Sequence, residues 1–247
     1  MPVTVVGSFI SPYVRKVLVC LQLKGLAYEV DPIVPFFGDD EFSRLSPLRR
    51  IPVLIDGDVT ICDSTIICEY LDERIPTPPV YPRDPADRAH ARWLEEFADT
   101  RMGEVIIWRL FNQRVIAPAV WGRPTDEAIV TKTLEHDLPS VLDYLEAQLP
   151  AGGYLFGPMG VADIAIGTFF RNAAFARYTV DAGRWPRTAA FVTRVLDHPS
   201  FVALRRFEEL SLTKPPAAHR EVLQAAGAPI VAKTFGTATP RPGILSS

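Results

Sequence analysis

The sequence predicts an α/β domain followed by a larger all-helical domain. Short runs rich in β-branched residues alternate with helical periodicity over roughly the first 75 residues. Five prolines then fall within residues 75–85, a stretch that cannot form a helix. After it, apolar residues recur at helical spacing. We therefore predict a first domain of residues 1–76, a linker of residues 77–86, a helical domain of residues 87–213 and an extended C-terminal tail of residues 214–247.

The composition narrows the functional classes. The chain has 247 residues and a formal net charge of −3, which indicates neither nucleic acid nor an anionic membrane as a partner. Its three cysteines have no CxxC spacing, so we expect no disulfide framework and a reducing compartment. The first residues lack the pattern of a signal peptide, and no apolar run reaches the roughly 20 residues that span a bilayer. We expect a soluble cytoplasmic protein.

The first domain reads as alternating strands and helices. The predicted order is a strand at 3–6, a helix from 12 to the glycine at 25, a strand at 27–33, a short helix or turn at 40–45, strands at 51–55 and 59–61, and a helix to 71. The two later strands flank Asp56-Gly57-Asp58, a strong hairpin signal. Either Asp63 or Ser64 is expected to cap the last helix.

The second half is predicted to be helical. A long helix is expected over 86–115, with breaks at Pro118 and Pro124 and a cap at Thr125 for the helix that runs to 149. Residues 161–178 are apolar on nearly every side, so we expect a buried central helix. Two short helices follow at 188–196 and 200–210. The proline-, glycine- and alanine-rich tail is expected to be mobile or to lie over the surface.

Ser11 is the first candidate for chemistry, because it lies between a predicted strand and a helix. Such a position collects free backbone N–H groups and the positive end of the helix dipole. A hydroxyl there can stabilise a thiolate, and lowering a thiol pKa by about 2 units needs only about 2.7 kcal/mol. Local sequence alone favours the simpler role of a helix cap. Ser8 is a weaker alternative, since it falls nearer the strand end.

Two further motifs could bind a peptide-like ligand. If the bond before Pro52 is cis, Ile51 turns its backbone N–H and C=O outward, where an extended peptide can pair with them. An ordinary trans proline opening a strand is the alternative. Asp63 and Ser64 open a helix, where amides and a hydroxyl suit a carboxylate and Asp63 suits an ammonium group. A plain cap is the alternative, and Arg50 could add a cation.

The histidines and cysteines offer no second chemistry. No histidine has metal-ligand spacing with another histidine or a cysteine, so we predict no metal site. The cysteines at 20, 62 and 68 fall on predicted helices or strands and are expected to pack as small hydrophobic residues. Nucleophile-elbow, P-loop and dinucleotide-binding glycine motifs are missing from the sequence.

Together these motifs resemble a known family. Ser11-Pro-Tyr-Val-Arg-Lys-Val17, Ser46-Pro-Leu-Arg-Arg-Ile-Pro-Val-Leu54 and Asp63-Ser64 resemble the N-terminal domain of the soluble glutathione S-transferases of the serine type, as found in bacteria. Four motifs in the helical half also resemble this family: Tyr154-Leu-Phe-Gly157, Val161-Ala-Asp-Ile164, Trp185-Pro186 and His198-Pro-Ser-Phe201. The resemblance covers residues 3–210 and implies a thioredoxin-like domain followed by an all-helical domain.

The resemblance also implies individual roles. Ser11 matches the serine that hydrogen-bonds the glutathione sulfur, Pro52 the cis-proline, and Ile51 the residue whose backbone pairs with the cysteinyl part. Asp63 and Ser64 match the pair that holds the γ-glutamyl group.

Two weaker matches and one departure complete this assignment. Arg50 matches a polar position near the glycyl end, and Asp163 matches a structural capping aspartate rather than a catalytic one. Gly160 departs from the family, which usually has Ser or Thr there, so we expect a half-built helix cap.

The activity implied is conjugation of glutathione to an apolar electrophile in a cytoplasmic homodimer that serves in detoxification. Glutathione is then the cosubstrate, with no metal. An acceptor site is expected to be lined by Phe9, Tyr13, Trp108, Phe111 and Asn112. The alternative is that the aromatic residues of this set, Phe111 above all, belong to the hydrophobic core. Two alternatives remain open: a glutathione-dependent isomerase, lyase or dehalogenase on the same scaffold, and a non-catalytic binding protein with this fold.

Overall fold

The chain divides into two compact units. The computed structural model describes residues 2–241. One unit holds the residues up to Pro79 together with those from Ser200 onwards, and the other is Val80–Pro199. The predicted fold class, an α/β domain and an all-helical domain, is confirmed. The domain boundaries stay a prediction, and residues 242–247 of the predicted tail lie outside the described residues.

A mixed four-stranded sheet organises the first unit. Its strands are β1 (Val3–Val6), β2 (Tyr28–Asp31), β3 (Val53–Asp56) and β4 (Val59–Cys62). Their spatial order is β2-β1-β3-β4. β1 is parallel to β2 and antiparallel to β3, and β3 and β4 form the predicted hairpin. Gly57 has a φ of 61° in the hairpin turn, a conformation that glycine adopts without steric cost.

Side-chain caps fix where the helices of this unit begin. Three helices belong to this α/β part: α1 (Pro12–Leu23), α2 (Asp40–Leu45) and α3 (Ser64–Arg74). The N-cap of α1 is Ser11, and the N-cap of α2 is Asp39. Of the two residues predicted to cap α3, Asp63 is the cap.

A buried lysine joins α1 to the proline-rich residues. The Lys24 side chain is fully buried. Its Nζ donates to Asp72 Oδ1 at 2.8 Å, to the Ile75 carbonyl at 2.7 Å and to the Pro78 carbonyl at 3.0 Å. Because a buried ammonium needs every one of its donors satisfied, these three acceptors hold the end of α3 and the chain after it in one arrangement.

The second unit is helical. In chain order it contains α4 (Pro85–Phe97), a segment with π-type hydrogen bonds (Ala98–Ile116), α5 (Ala117–Trp121), α6 (Glu127–Lys132), a second π-type segment (Thr133–Asp137), α7 (Leu138–Gln148), α8 (Val161–Phe175) and α9 (Pro186–Leu196). The prediction of a buried helix from residue 161 is confirmed, since nearly every side chain of α8 is buried.

Two predictions about the ends of these helices are wrong. Pro118 does not break the chain, because the π-type segment Ala98–Ile116 runs directly into α5 and the helical backbone continues past the proline to Trp121. That helix ends instead at Gly122, which has a φ of 61°. Thr125 does not cap α6, because its hydroxyl donates to the Gln113 carbonyl at 3.0 Å. The cap is Asp126, whose carboxylate accepts from the first-turn amides.

The start of α8 explains why residue 160 is a glycine. A Cβ at Gly160 would lie 2.8 Å from the Val80 carbonyl oxygen, so any side chain there would force the backbone to shift. The Asp163 carboxylate accepts from the Gly160 N–H and from the Leu155 N–H, both at 2.9 Å. Only the carboxylate half of the reciprocal cap therefore forms, as the sequence predicts.

The last residues return to the α/β part. They contain α10 (Pro199–Val202), α11 (Arg205–Thr213) and α12 (His219–Ala225), and then residues 229–241, which we call the C-terminal segment. The C-terminal segment lies along β2, where the Val30 N–H donates to the Pro229 carbonyl at 2.7 Å and the Val231 N–H to the Val30 carbonyl at 3.2 Å. The predicted extended tail therefore contains a helix, and its described end lies over the surface.

Replacing Lys24 by Met tests the buried cation. The variant Lys24→Met keeps most of the apolar length but removes the ammonium donor from the Asp72 carboxylate and from two carbonyls. We expect the free energy of unfolding to fall by about 3–5 kcal/mol in guanidinium denaturation. Lys132→Met is the matched control, because Lys132 is exposed, and it is expected to change stability by no more than about 0.5 kcal/mol. Equal effects of the two substitutions would contradict this account.

Asp163 should make stability depend on pH. Burial raises the pKa of its carboxyl to about 6, whereas an unfolded aspartate titrates near 3.9. The folded state therefore holds the proton more tightly, and stability falls as pH rises through the window between the two values.

The variant Asp163→Asn tests this pH dependence of stability. It has no carboxyl to titrate, and it also loses one amide hydrogen bond. From pH 4.5 to pH 7, the stability of the wild type relative to Asp163→Asn is expected to drop by roughly 2 kcal/mol in denaturant unfolding. An advantage that stays constant over this range would show that the Asp163 pKa is ordinary.

Candidate functional site

The turn between β1 and α1 presents the Ser11 hydroxyl. Ser11 is partly exposed, and its Oγ accepts from the Val14 N–H at 3.3 Å. The predicted helix cap is therefore confirmed. In this cap the Ser11 oxygen only accepts a hydrogen bond, so its own hydrogen is not used. Among the described residues, none accepts the hydroxyl hydrogen, which leaves it available to an anion at the positive end of α1.

Ser8 has a different environment. It is 1% exposed, and its Oγ has no hydrogen-bond partner within residues 2–241. Its carbonyl accepts from the Ser11 N–H at 3.0 Å, which closes the turn. Because the Ser8 hydroxyl is out of contact with solvent, a ligand at the surface reaches Ser11 first.

The loop before β3 is held by its own side chains. Ser46 Oγ donates to the Arg50 carbonyl at 2.8 Å and accepts from the Arg50 N–H at 2.9 Å. The Arg49 guanidinium donates to the Gly38 carbonyl at 2.9 Å, and Arg49 has a φ of 50°. These contacts fix the path of the chain into Ile51.

Within the described residues, the backbone of Ile51 is unpaired. Its bond to Pro52 is cis. Neither its N–H nor its C=O pairs with another backbone group of the described residues. Since buried or ordered backbone groups normally find partners, this residue offers one donor and one acceptor to an extended ligand. The neighbouring Arg50 is exposed, and its guanidinium binds no described residue.

The start of α3 carries the third element of the site. Asp63 is exposed, with a φ of 77°, and its Oδ1 accepts from the Thr65 N–H at 2.9 Å. Ser64 is 2% exposed, and its hydroxyl makes no hydrogen bond within the described chain. The fully buried Lys16 donates from Nζ to the Thr65 hydroxyl at 3.1 Å, so a positive charge lies beneath this helix terminus.

Gly7, which no motif in the sequence analysis includes, lies where the turn with Ser11 meets the loop with Ile51. A Cβ on Gly7 would lie 2.4 Å from Val14 Cγ2 and 3.0 Å from Ile51 Cβ. The turn that carries Ser11 is therefore packed directly against Ile51. A hydrogen bond from Lys16 to Thr65 joins α1 to the start of α3. The close approach at Gly7 could have been predicted, because a glycine at the end of a strand often marks a close backbone contact. No sequence pattern predicts that a lysine such as Lys16 is buried.

The residues predicted to line an acceptor site differ in exposure. In the first unit, Phe9 is 1% exposed and packs against Phe207, with 5.2 Å between ring centroids, whereas Tyr13 is partly exposed. In the second unit, Trp108 is 45% exposed, while Phe111 is 3% exposed. Asn112, in the same unit, is partly exposed. Phe9 therefore belongs to the core of its own unit, and the acceptor site stays a prediction.

Residues 2–241 contain neither a metal-binding cluster nor a membrane-spanning helix. Within residues 2–241, no group of three or more His, Cys, Asp or Glu side chains could hold a metal ion. None of the helices in this part of the chain combines the length and the apolar character that crossing a membrane needs.

Comparison with known proteins agrees with this architecture. Residues 6–79 match the family model of the glutathione S-transferase N-terminal domain. The probable glutathione S-transferase GSTF2 of Oryza sativa subsp. japonica is 30% identical over 224 residues, which are 87% of this chain and 99% of that protein. Glutathione S-transferase Z1 of Arabidopsis thaliana is 44% identical over 82 residues, which are 32% of this chain and only 37% of that protein.

A solved structure is similar over most of its length. The glutathione S-transferase of Methylobacterium radiotolerans, crystallised with glutathione sulfonate, is 25% identical. The match covers 82% of this chain and 94% of that chain, with a TM-score of 0.67. The fold and the site thus define a protein with a thioredoxin-like domain and a helical domain. This chain belongs to the glutathione S-transferase family.

Proposed function

We propose that this protein is a glutathione transferase that joins glutathione to an apolar electrophile through a thiolate held by Ser11. The observation that carries the proposal is the Ile51 backbone, which is unpaired within the described residues. The Ile51 side chain packs against the turn that presents the Ser11 hydroxyl. A cysteinyl residue paired with Ile51 has its sulfur on the side of that turn. The family membership and the glutathione sulfonate bound by a relative support the same ligand.

The remaining parts of glutathione have matching groups on the protein. Asp63 is an exposed carboxylate suited to the ammonium of the γ-glutamyl part. The Ser64 hydroxyl and the start of α3 suit its carboxylate. Arg50 is an exposed cation next to Ile51 and suits the glycyl carboxylate.

Ser11 supplies the energy that makes the thiol reactive at neutral pH. A hydrogen bond to a charged group contributes about 1.5–3 kcal/mol, and the positive end of a helix adds about 0.3–1 kcal/mol. Their sum reaches the roughly 2.7 kcal/mol that lowers a thiol pKa by 2 units. The thiolate is then the dominant form of bound glutathione near pH 7.

The reaction is a nucleophilic attack by this thiolate. Its electron pair forms a sulfur–carbon bond with the electrophile. A leaving group departs with the electrons of the bond that breaks, or an activated double bond takes them up together with a proton from water. The acceptor residues named above, the homodimer, the detoxifying role and the cytoplasmic location remain predictions.

Ser11→Ala is the most specific test of the mechanism. It removes the donor hydrogen but not the backbone that pairs with glutathione. We expect the pKa of the bound thiol, followed by thiolate absorbance, to rise by about 1–2 units, because the helix dipole remains, and kcat at pH 7 to fall about three- to twentyfold. Glutathione affinity should stay within about tenfold of the wild type.

Ser8→Ala is the matched control for Ser11→Ala. It removes a hydroxyl three residues away that is buried and has no partner within the described chain. Its activity with an aryl halide is expected to remain within about twofold of the wild type. Undiminished activity in Ser11→Ala, or a loss confined to Ser8→Ala, would remove Ser11 from the mechanism.

Ser64→Ala tests the anion site of α3. Loss of a hydroxyl that binds a carboxylate should raise the dissociation constant of glutathione about tenfold in calorimetry. Ser140→Ala, at an exposed position of the second unit, serves as the control and should leave the constant unchanged. If Ser64→Ala also binds glutathione like the wild type, Ser64 is not part of the site.

A further inference from the structure

The hydrophobic core beneath Ile51 contains a side chain from the far end of the sequence. One cluster of buried residues comprises Val6, Ile33, Phe42, Val53 and Phe235. The side chains of Ile51 and Cys62, which directly precede Pro52 and Asp63, pack against the same cluster. Phe235 is 8% exposed. The C-terminal segment thus completes the packing under two of the three elements of the site.

A buried carboxylate anchors this segment. Asp31, at the end of β2, is completely buried. It accepts from the Phe235 N–H at 2.8 Å and from the Thr234 hydroxyl at 2.8 Å, and Arg220 lies 3.3 Å away. A buried aspartate needs such partners, and these three come from the C-terminal segment and the helix before it. Asp31 therefore fixes where the Phe235 ring enters the core.

The C-terminal segment also contacts the start of α2. The Phe235 carbonyl accepts from the Asp39 N–H at 2.8 Å. The Thr237 N–H donates to the Phe37 carbonyl at 2.6 Å. Two exposed ion pairs also join the C-terminal segment to α2. They are Arg241 with Asp40 and Lys233 with Glu41. Exposed pairs contribute little, so the backbone bonds and the Phe235 ring account for most of this attachment.

From α2 the restraint continues to Ile51. Phe42 lies in α2 and in the shared cluster, and its carbonyl accepts from the Ser46 N–H at 2.8 Å. The Ser46 hydroxyl in turn forms hydrogen bonds with both the N–H and the carbonyl of Arg50. The path from Phe235 to the unpaired backbone of Ile51 is therefore a continuous set of packing contacts and hydrogen bonds.

We propose that the C-terminal segment is a positioning element of the glutathione site, in which Phe235 and its anchor Asp31 hold residues 39–51 so that the Ile51 backbone faces the ligand. This inference rests on the proposed function. Phe235 is a positioning residue and does not touch glutathione. By reciprocity, bound glutathione also holds the C-terminal segment in place.

Phe235→Leu tests this role with two separate measurements. Without glutathione, amide hydrogen exchange in residues 39–51 should speed up about tenfold, because the local opening energy falls. With glutathione, KM and the dissociation constant for glutathione should rise about fivefold while kcat at saturation stays within about twofold. Phe191→Leu is the control, since Phe191 is completely buried in the second unit and should change neither quantity.

Thr234→Val provides a second variant if Phe235→Leu does not fold. It removes the hydroxyl that donates to Asp31 and keeps the Phe235 ring, so the same two changes should follow in the same direction. Folded variants with wild-type exchange in residues 39–51 and wild-type affinity would overturn the proposal, as would equal effects in Phe191→Leu. If the wild type does not bind glutathione, the proposed function fails, and the exchange measurement alone decides whether the segment holds Ile51.

Discussion

The close contact of Gly7 with Val14 and Ile51 is the constraint on which the candidate site depends. Any Cβ at position 7 would collide with Val14, and the φ of 147° is one that side chains disfavour. Because the backbone comes this close, the turn that ends in Ser11 and the loop that ends in Ile51 form one surface. The proposed role of Ser11 in stabilising a thiolate requires that this surface be preserved.

Local signals explain which parts of the fold could be predicted from sequence. The hairpin around Gly57 and the Ser11 cap depend on residues within a few positions of one another. The buried helix from Val161 likewise shows in its own composition. The predictions at Pro118 and Thr125 are wrong for different reasons. Helical backbone continues through Pro118 with π-type hydrogen bonds before it, and Asp126, next to Thr125, is the stronger capping residue.

Long-range contacts explain what could not be predicted. Charged residues are rarely buried, so nothing in the sequence marks Lys16 or Lys24 as interior, or pairs the buried Arg15 with Glu208. Phe235 lies in a stretch without periodicity, and its place in the core depends on Asp31, about two hundred residues earlier. The motifs of the site were recognisable as a set, whereas the packing that supports them was not.

The central claim is that glutathione pairs with the Ile51 backbone and places its sulfur at Ser11. A crystal structure of the protein with bound glutathione tests this most directly. The account predicts two backbone hydrogen bonds between Ile51 and the cysteinyl residue, with the sulfur about 3–3.5 Å from Ser11 Oγ. Glutathione bound with its sulfur away from Ser11, or with the Ile51 backbone unpaired, would contradict it.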